Sequence, residues 1–271
     1  MKGEKKMSIY ITGDTHGDIT DPRLNYLKQL KENDILIITG DFGFDWNKEI
    51  INSWLEFEHK YTVLFCDGNH ENYDVLNSLP IEKMFGDEVG VFGNNTYRLL
   101  TGHMYNIEGE KFFVFGGASS IDKNWRRIHE IKHNQPRTLW WPEEVPTEET
   151  FELAKKTLAD NNYKFDYFIS HTCIPQLKGA VLHTYKLDFY DPTESMINSI
   201  EYLIKENNGG FKHAFFGHFH TNLHFRNYHA LYGDIVNITD KVIIKGFDEN
   251  SYETWEKIPL EDYDDDEISY I

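Results

Sequence analysis

Cysteine is nearly absent from this chain. Cys66 and Cys173 are the only two in 271 residues, too few for a disulfide framework, and the expected compartment is a reducing one, the cytoplasm. No stretch approaches the roughly 20 apolar residues needed to span a bilayer, so no membrane partner is expected. The opening Met1 to Met7 is basic, but the apolar run behind it is broken at Asp14, too early for a secretory signal. Positive charge is also scarce. Lys and Arg total 27 against 45 Asp and Glu, a net charge of -18, which argues against a broad basic face gripping a nucleic-acid backbone. The imbalance is uneven: residues 248 to 271 carry ten acids against Lys257, so half of the net charge sits in that stretch. An acidic chain can still handle anions where bound divalent cations reverse the local sign.

What the chain has is ample material for one packed domain. Hydrophobic residues make up 40% and aromatic residues 15%, and no internal repeat or second domain is visible. Ile9 to Thr12, Ile35 to Ile38 and Thr62 to Cys66 read as buried strands. Between them, helices are expected from Asp21-Pro22 to about Asn33 and over residues 47 to 60. This is the βαβ alternation of a largely parallel sheet, whose functional groups collect at the carboxyl ends of the strands. After Asn95 the elements shorten and suit antiparallel pairing: Tyr97 to Leu100, Met104 to Ile107 and Lys111 to Phe115, with a turn at Glu108-Gly109-Glu110. Residues 119 to 147 show no clean period and read as an inserted loop lying over the site. A helix from Thr147 to about Asn161 opens on Thr and acids. A strand at Tyr167 to Ser170, a helix over 193 to 207 and a strand at Ala214 to Phe216 follow. Strand-like runs at 223 to 232, 235 to 239 and 241 to 246 close the domain at about residue 247, and residues 248 to 271 read as a solvated acidic tail.

Polar loops follow these strands with unusual regularity: Gly13-Asp14-Thr15-His16-Gly17, Gly40-Asp41, Gly68-Asn69-His70-Glu71, His171, and Gly217-His218-Phe219-His220. Taken singly, Asp14, His16 and Asp41 read more readily as turn or cap residues than as ligands, and Asn69 could simply hold a turn. Recurring at consecutive strand ends, Asp14, His16, Asp41, Asn69, His171, His218 and His220 form an oxygen and nitrogen donor set without thiolate. Such a set suits Mn, Fe, Zn or Ni. Seven donors are too many for one tetrahedral ion with open positions, and two ions sharing a carboxylate would use them all. Cys173 reads as a small buried residue. His59, His103, His129, His133, His183, His213, His224 and His229 read as surface or structural, with His183 a candidate to line the cleft.

The order Asp-x-His, Gly-Asp, Gly-Asn-His-Glu, His, Gly-His-x-His resembles the calcineurin-like metallophosphoesterase superfamily over residues 8 to about 247. The resemblance implies an α/β fold, a four-layer αββα sandwich of two mixed β-sheets flanked by helices, with the site at one rim. It also implies two divalent ions, Mn above all, with Asp14, His16 and His220 on the first, Asn69, His171 and His218 on the second, and Asp41 between them. Mono- or diester hydrolysis would then proceed by attack of metal-bridging hydroxide, and His70 would give a proton to the leaving oxygen. Asp45 or Glu71 would orient His70.

The protein phosphatases of that superfamily read Gly-Asp-x-x-Asp-Arg-Gly at the second motif. Here Gly40-Asp41-Phe42-Gly43-Phe44-Asp45-Trp46 has its second acid displaced and lacks the arginine. Small-molecule, nucleotide or nucleic-acid esters are therefore favoured over phosphoprotein. A catalytically silent scaffold is disfavoured because no expected ligand is replaced. Ser120 to Arg126 and Trp140 to Glu143 resemble segments of microbial and phage members, which makes Arg126 a substitute phosphate contact. Arg126 and Asn69 are the residues expected to meet substrate.

Overall fold

The computed structural model describes residues 7–43, 48–181, 189–245 and 256–260. In chain order its elements are β1 (Ile9–Thr12), α1 (Pro22–Leu27), β2 (Ile35–Ile38), α2 (Lys48–Glu56), β3 (Thr62–Phe65), α3 (Tyr73–Leu76), β4 (Ile81–Met84), β5 (Asp87–Gly93), β6 (Thr96–Leu99), β7 (Met104–Ile107), β8 (Glu110–Phe115), α4 (Lys123–His133), α5 (Glu148–Asp160), β9 (Tyr167–Ser170), α6 (Lys178–Val181), α7 (Pro192–Glu206), β10 (His213–Phe216), β11 (Leu223–Phe225), β12 (Tyr228–Ala230), β13 (Ile235–Asn237), β14 (Val242–Lys245) and β15 (Glu256–Pro259).

The strands form two mixed sheets. The larger runs β15-β14-β13-β1-β2-β3-β6-β5-β4 and the smaller β11-β12-β10-β9-β8-β7. β1, β2, β3 and β6 are parallel neighbours, as are β8, β9, β10 and β12. The strands that carry the polar loops are thus the parallel core of each sheet.

Both faces of the central strands of each sheet are covered, which explains why these strands read as unbroken apolar runs. Ile35 and Ile37 of β2 face the space between the sheets, packed with Phe112 and Val114 of β8, Ile169 and Phe215. The alternate residues Leu36 and Ile38 turn outward onto Leu24, Leu27 and Trp54 of α1 and α2. Phe113 and Phe115 turn the other way, onto Ala154 and Leu158 of α5 and Ile197, Ile200 and Ile204 of α7. Helix, sheet, sheet, helix is the expected four-layer order.

Several expectations need correction. Residues 119 to 147 are not a plain loop: they contain α4 and a short 3-10 turn at Pro142–Glu144. The helical period escaped notice because α4 turns Arg126 and Glu130 inward and leaves Trp125, Ile128 and Ile131 exposed, the reverse of the usual amphipathic pattern. The run 223 to 232 is two strands, β11 and β12, folded at left-handed Arg226. α1 ends at Leu27 rather than near Asn33. The β4–β5 hairpin and α3 were not anticipated. Within the stretch expected as a solvated tail, Glu256–Pro259 pairs antiparallel with β14 as β15. No helix among the described residues is long and apolar enough to cross a membrane.

Candidate metal centre

The loops leaving β1, β2, β3, β9 and β10 bring all seven candidate ligands together. Asp14, His16, Asp41 and His220 each place one ligand atom within 4.8 Å of all the others, and the His16 and His220 Nε2 atoms lie 3.1 Å apart. Beside them, Asn69 Oδ1 is 2.9 Å from His171 Nε2 and 2.8 Å from His218 Nδ1. His171 Nε2 is also 3.3 Å from Asp41 Oδ1. Asp41 therefore belongs to both groups.

The chemistry of these groups fits cations. Asp14 Oδ2 is buried without a hydrogen-bond partner, which costs about 1 to 3 kcal/mol unless something satisfies it. Burial pushes the Asp14 carboxyl up to about 7, against the pull of His171. Burial also opposes the charge on Asp41, yet the surrounding imidazoles, His171 first, hold it well below the usual carboxylate range. His171, buried as well, is raised to about 9 by Asp41 and Asp14. Lone pairs from carboxylates, an amide and imidazoles crowd one space, as a set of ligands awaiting positive charge would.

The backbone is bent to allow this. Asp14, His16, Asp41, His218 and His220 all have positive φ, between 48° and 69°, a left-handed conformation costing of order 1 kcal/mol or more each. Contacts between loops hold it: the His16 amide donates to Asp41 O at 2.8 Å and the Asp14 amide to Gly40 O at 3.2 Å. The buried Arg23 guanidinium donates to the carbonyls of Gly13, Asp14 and Tyr232 while pairing with Asp21. Two glycines are obligatory. A Cβ at Gly40, where φ is +85°, would lie 2.3 Å from the His171 ring, and one at Gly68 would lie 2.1 Å from Asp41 Oδ1.

His70 edges the same space. Its backbone amide donates to Asp41 Oδ1 at 2.8 Å, and its ring lies 5.3 Å, centroid to centroid, from that of His16. An Arg126 Nη sits 3.2 Å from each of its ring nitrogens. Burial lowers the imidazole to about 4; Asp41 opposes and Arg126 adds to the shift. Of the carboxylates expected to orient His70, Glu71 is turned to the backbone instead, accepting from the Phe42 and Gly43 amides at 2.9 and 3.3 Å. It braces the loop that carries Asp41. Asp45 and His183 lie outside the described residues. A cleft of about 350 Å³ opens over the ligands and is walled by His70, Arg126, Ile121, Phe189 and Phe219.

Sequence reasoning missed Arg23, Ser120 and Glu144. Arg23 carried a signal: a cation in the first turn of a helix opposes the helix dipole, so it needs a specific partner. Ser120 opens a segment that resembles members of the superfamily, but neither it nor Glu144 showed its role, because the partners that give them meaning lie 51 and 24 residues away.

Paired donor groups at the carboxyl rim of a two-sheet sandwich make a candidate centre for divalent cations. The chain belongs to the calcineurin-like phosphoesterase family, whose model matches residues 7–222, and this membership makes it a metal-dependent hydrolase of phosphate esters. No curated protein matches the chain. Among solved structures, a phosphopantetheinyl hydrolase from Mycobacterium tuberculosis aligns over 84% of this chain and 88% of its own, with 15% identity and a TM-score of 0.36.

Proposed function

We propose that this protein hydrolyses phosphate mono- or diesters of small molecules, nucleotides or nucleic acid at a pair of divalent ions, with Mn the first choice and Fe, Zn or Ni also suited. The observation that carries the reading is that Asp41 belongs to both donor groups. Asp14, His16 and His220 would hold one ion, and Asn69, His171 and His218 the other. The ions would supply Lewis acidity, activating water and offsetting phosphate charge.

The chain's own groups do the rest. Arg126 supplies the guanidinium missing from the second motif: it reaches His70 from α4, where it would meet a phosphate oxygen by a charge-assisted hydrogen bond. Burial, with Arg126 adding to it, keeps the His70 imidazole neutral near pH 7. A phosphate anion placed between them favours the imidazolium, which lets His70 protonate the leaving oxygen as the ester bond breaks. Ile121, Phe189 and Phe219 offer apolar contact to the leaving group. Two buried free thiols suit a reducing compartment such as the cytoplasm.

The test is to strip the protein of metal, reload it with Mn, Fe, Zn or Ni, and assay nitrophenyl phosphate against bis-nitrophenyl phosphate and a panel of nucleotides. Metal-restored turnover supports the reading, and the ratio of the first two substrates separates monoester from diester preference. Two bound ions with no turnover across the panel would favour the scaffold reading instead.

A further inference from the structure

An asparagine can face a cation with its oxygen or with its NH2, and only the oxygen binds. At Asn69 the Oδ1 faces His171 and His218, while Nδ2 donates to Ser120 Oγ at 3.0 Å. The Ser120 hydroxyl donates in turn to Glu144 Oε2 at 2.6 Å, and the Ser120 amide donates to Glu144 Oε1 at 2.9 Å. Asn69, Ser120 and Glu144 are 7%, 1% and 1% exposed, so water cannot easily replace a partner in this chain.

We propose that Glu144 and Ser120 are positioning residues that decide which end of the Asn69 amide faces the second ion. Both Glu144 oxygens are committed as acceptors from Ser120. The single hydroxyl proton of Ser120 is therefore spent on Glu144, leaving Ser120 Oγ only lone pairs for Asn69. Asn69 must answer with its NH2, and its oxygen is driven toward the ligand group. While ionised, Glu144 can only accept, and the direction of every bond follows from it; burial raises its carboxyl to about 7, so the metal titration is run above that pH.

The site gains from this because an amide is the weakest donor of the seven and, unlike a carboxylate, has a wrong way round. Glu144 is carried by the 3-10 turn after α4, and its own carbonyl accepts from the Ala118 amide at 3.0 Å. The segment from 119 to 147 thus serves the metal centre as well as the cleft wall. This inference rests on the two-ion reading above.

The experiment is calorimetric titration of the metal-free full chain with Mn, in wild type and four variants, with thermal melting of each metal-free form as a control. Wild type should bind two ions; a single ion would overturn the two-ion reading and this inference with it. Glu144→Gln keeps the shape but places an NH2 against Ser120 Oγ, which reverses the chain and turns the Asn69 NH2 toward the ion. It should weaken one of the two sites about 10- to 100-fold, the usual cost of losing a partner behind a ligand, and leave the other unchanged. Ser120→Ala should weaken the same site less, and Ser120→Thr should restore it. The decisive variant is Asn69→Asp combined with Glu144→Gln: a carboxylate has no wrong end and can accept from the reversed Ser120 hydroxyl, so the affinity should return. Wild-type affinity in Glu144→Gln, or no recovery in the double variant while it melts like wild type, overturns the proposal. Should Glu144→Gln fail to fold, retention of both wild-type affinities in Ser120→Ala overturns it equally.

Discussion

The two walls of the cleft are held in place by different means. The loops that carry Asp14, Asp41 and Asn69 hang from β1, β2 and β3, whose apolar residues are packed on both faces, and residues such as Ile37, Leu64 and Phe65 are wholly inaccessible. The opposite wall, from Ser119 to Glu144, has polar fastenings. Glu130 Oε1 accepts the amides of Thr138, Leu139 and Trp140 at 2.8 to 3.1 Å. Arg137 bridges Asp74 and Glu143, and Trp141 Nε1 donates to Asp74 at 3.0 Å. Apolar side chains that would normally face inward, Trp125, Ile128 and Ile131, are 60%, 52% and 77% exposed. A packed core resists displacement by volume, whereas polar fastenings resist by charge and direction, and salt weakens them. The packed wall carries Asp14, Asp41 and Asn69, and the pinned wall brings Arg126 to the cleft.

Substitutions can break this contrast in descending order of effect. Asp41→Ala removes the carboxylate shared by both donor groups and should cost on the order of a thousandfold or more in kcat/KM, with loss of bound metal measured by elemental analysis. Retention of both ions would end the shared-ligand account. His70→Ala should lower kcat by roughly 10²- to 10⁴-fold, the range for a lost proton donor, with metal content preserved; equal loss of both would refute the acid role. Arg126→Ala, on the pinned wall, should act mainly through KM, about 10- to 100-fold for one charge-assisted contact. An unchanged KM on the true substrate would remove Arg126 from phosphate binding. Arg137→Ala should matter least. Its guanidinium is 37% exposed and its Asp74 partner 53%, so each pair contributes roughly 0 to 1 kcal/mol. Melting temperature should fall by a few degrees at most, with the difference shrinking as salt is added.

The same contrast separates what could be read in the sequence from what could not. β2 was legible because Ile35 to Ile38 fill both faces of one buried strand, and so were the loops, because Asp, His and Gly recur wherever such a strand stops. α4 was illegible because its period is written in charges: Arg126 and Glu130 are four residues apart on the buried face, and it is folded partners that explain them, His70 and Leu139 O for Arg126 and the Thr138, Leu139 and Trp140 amides for Glu130. β5 hid behind Gly90 and Gly93, which weaken a strand signal, and behind a register shift between Val91 and Gly93. Arg23 was half legible: the first turn of α1 is an unfavourable place for a cation, but the Gly13 and Tyr232 carbonyls that hold it there come together only in the fold. Local pattern recorded the frame, and long-range pairing recorded the cleft.

The larger sheet finishes in two guarded borders among the described residues. Its two outermost strands, β4 and β15, present Glu82, Lys83, Glu256 and Lys257 to solvent, and Pro259 brings no N–H to its place opposite Val242. Borders of this kind discourage a foreign strand from adding itself. A cut ahead of Glu256 would strip off one border and offer the naked backbone of β14, with Ile243 and Ile244 beside it, to any neighbouring molecule. The first symptom of such damage would be clumping, with the catalytic rim still intact.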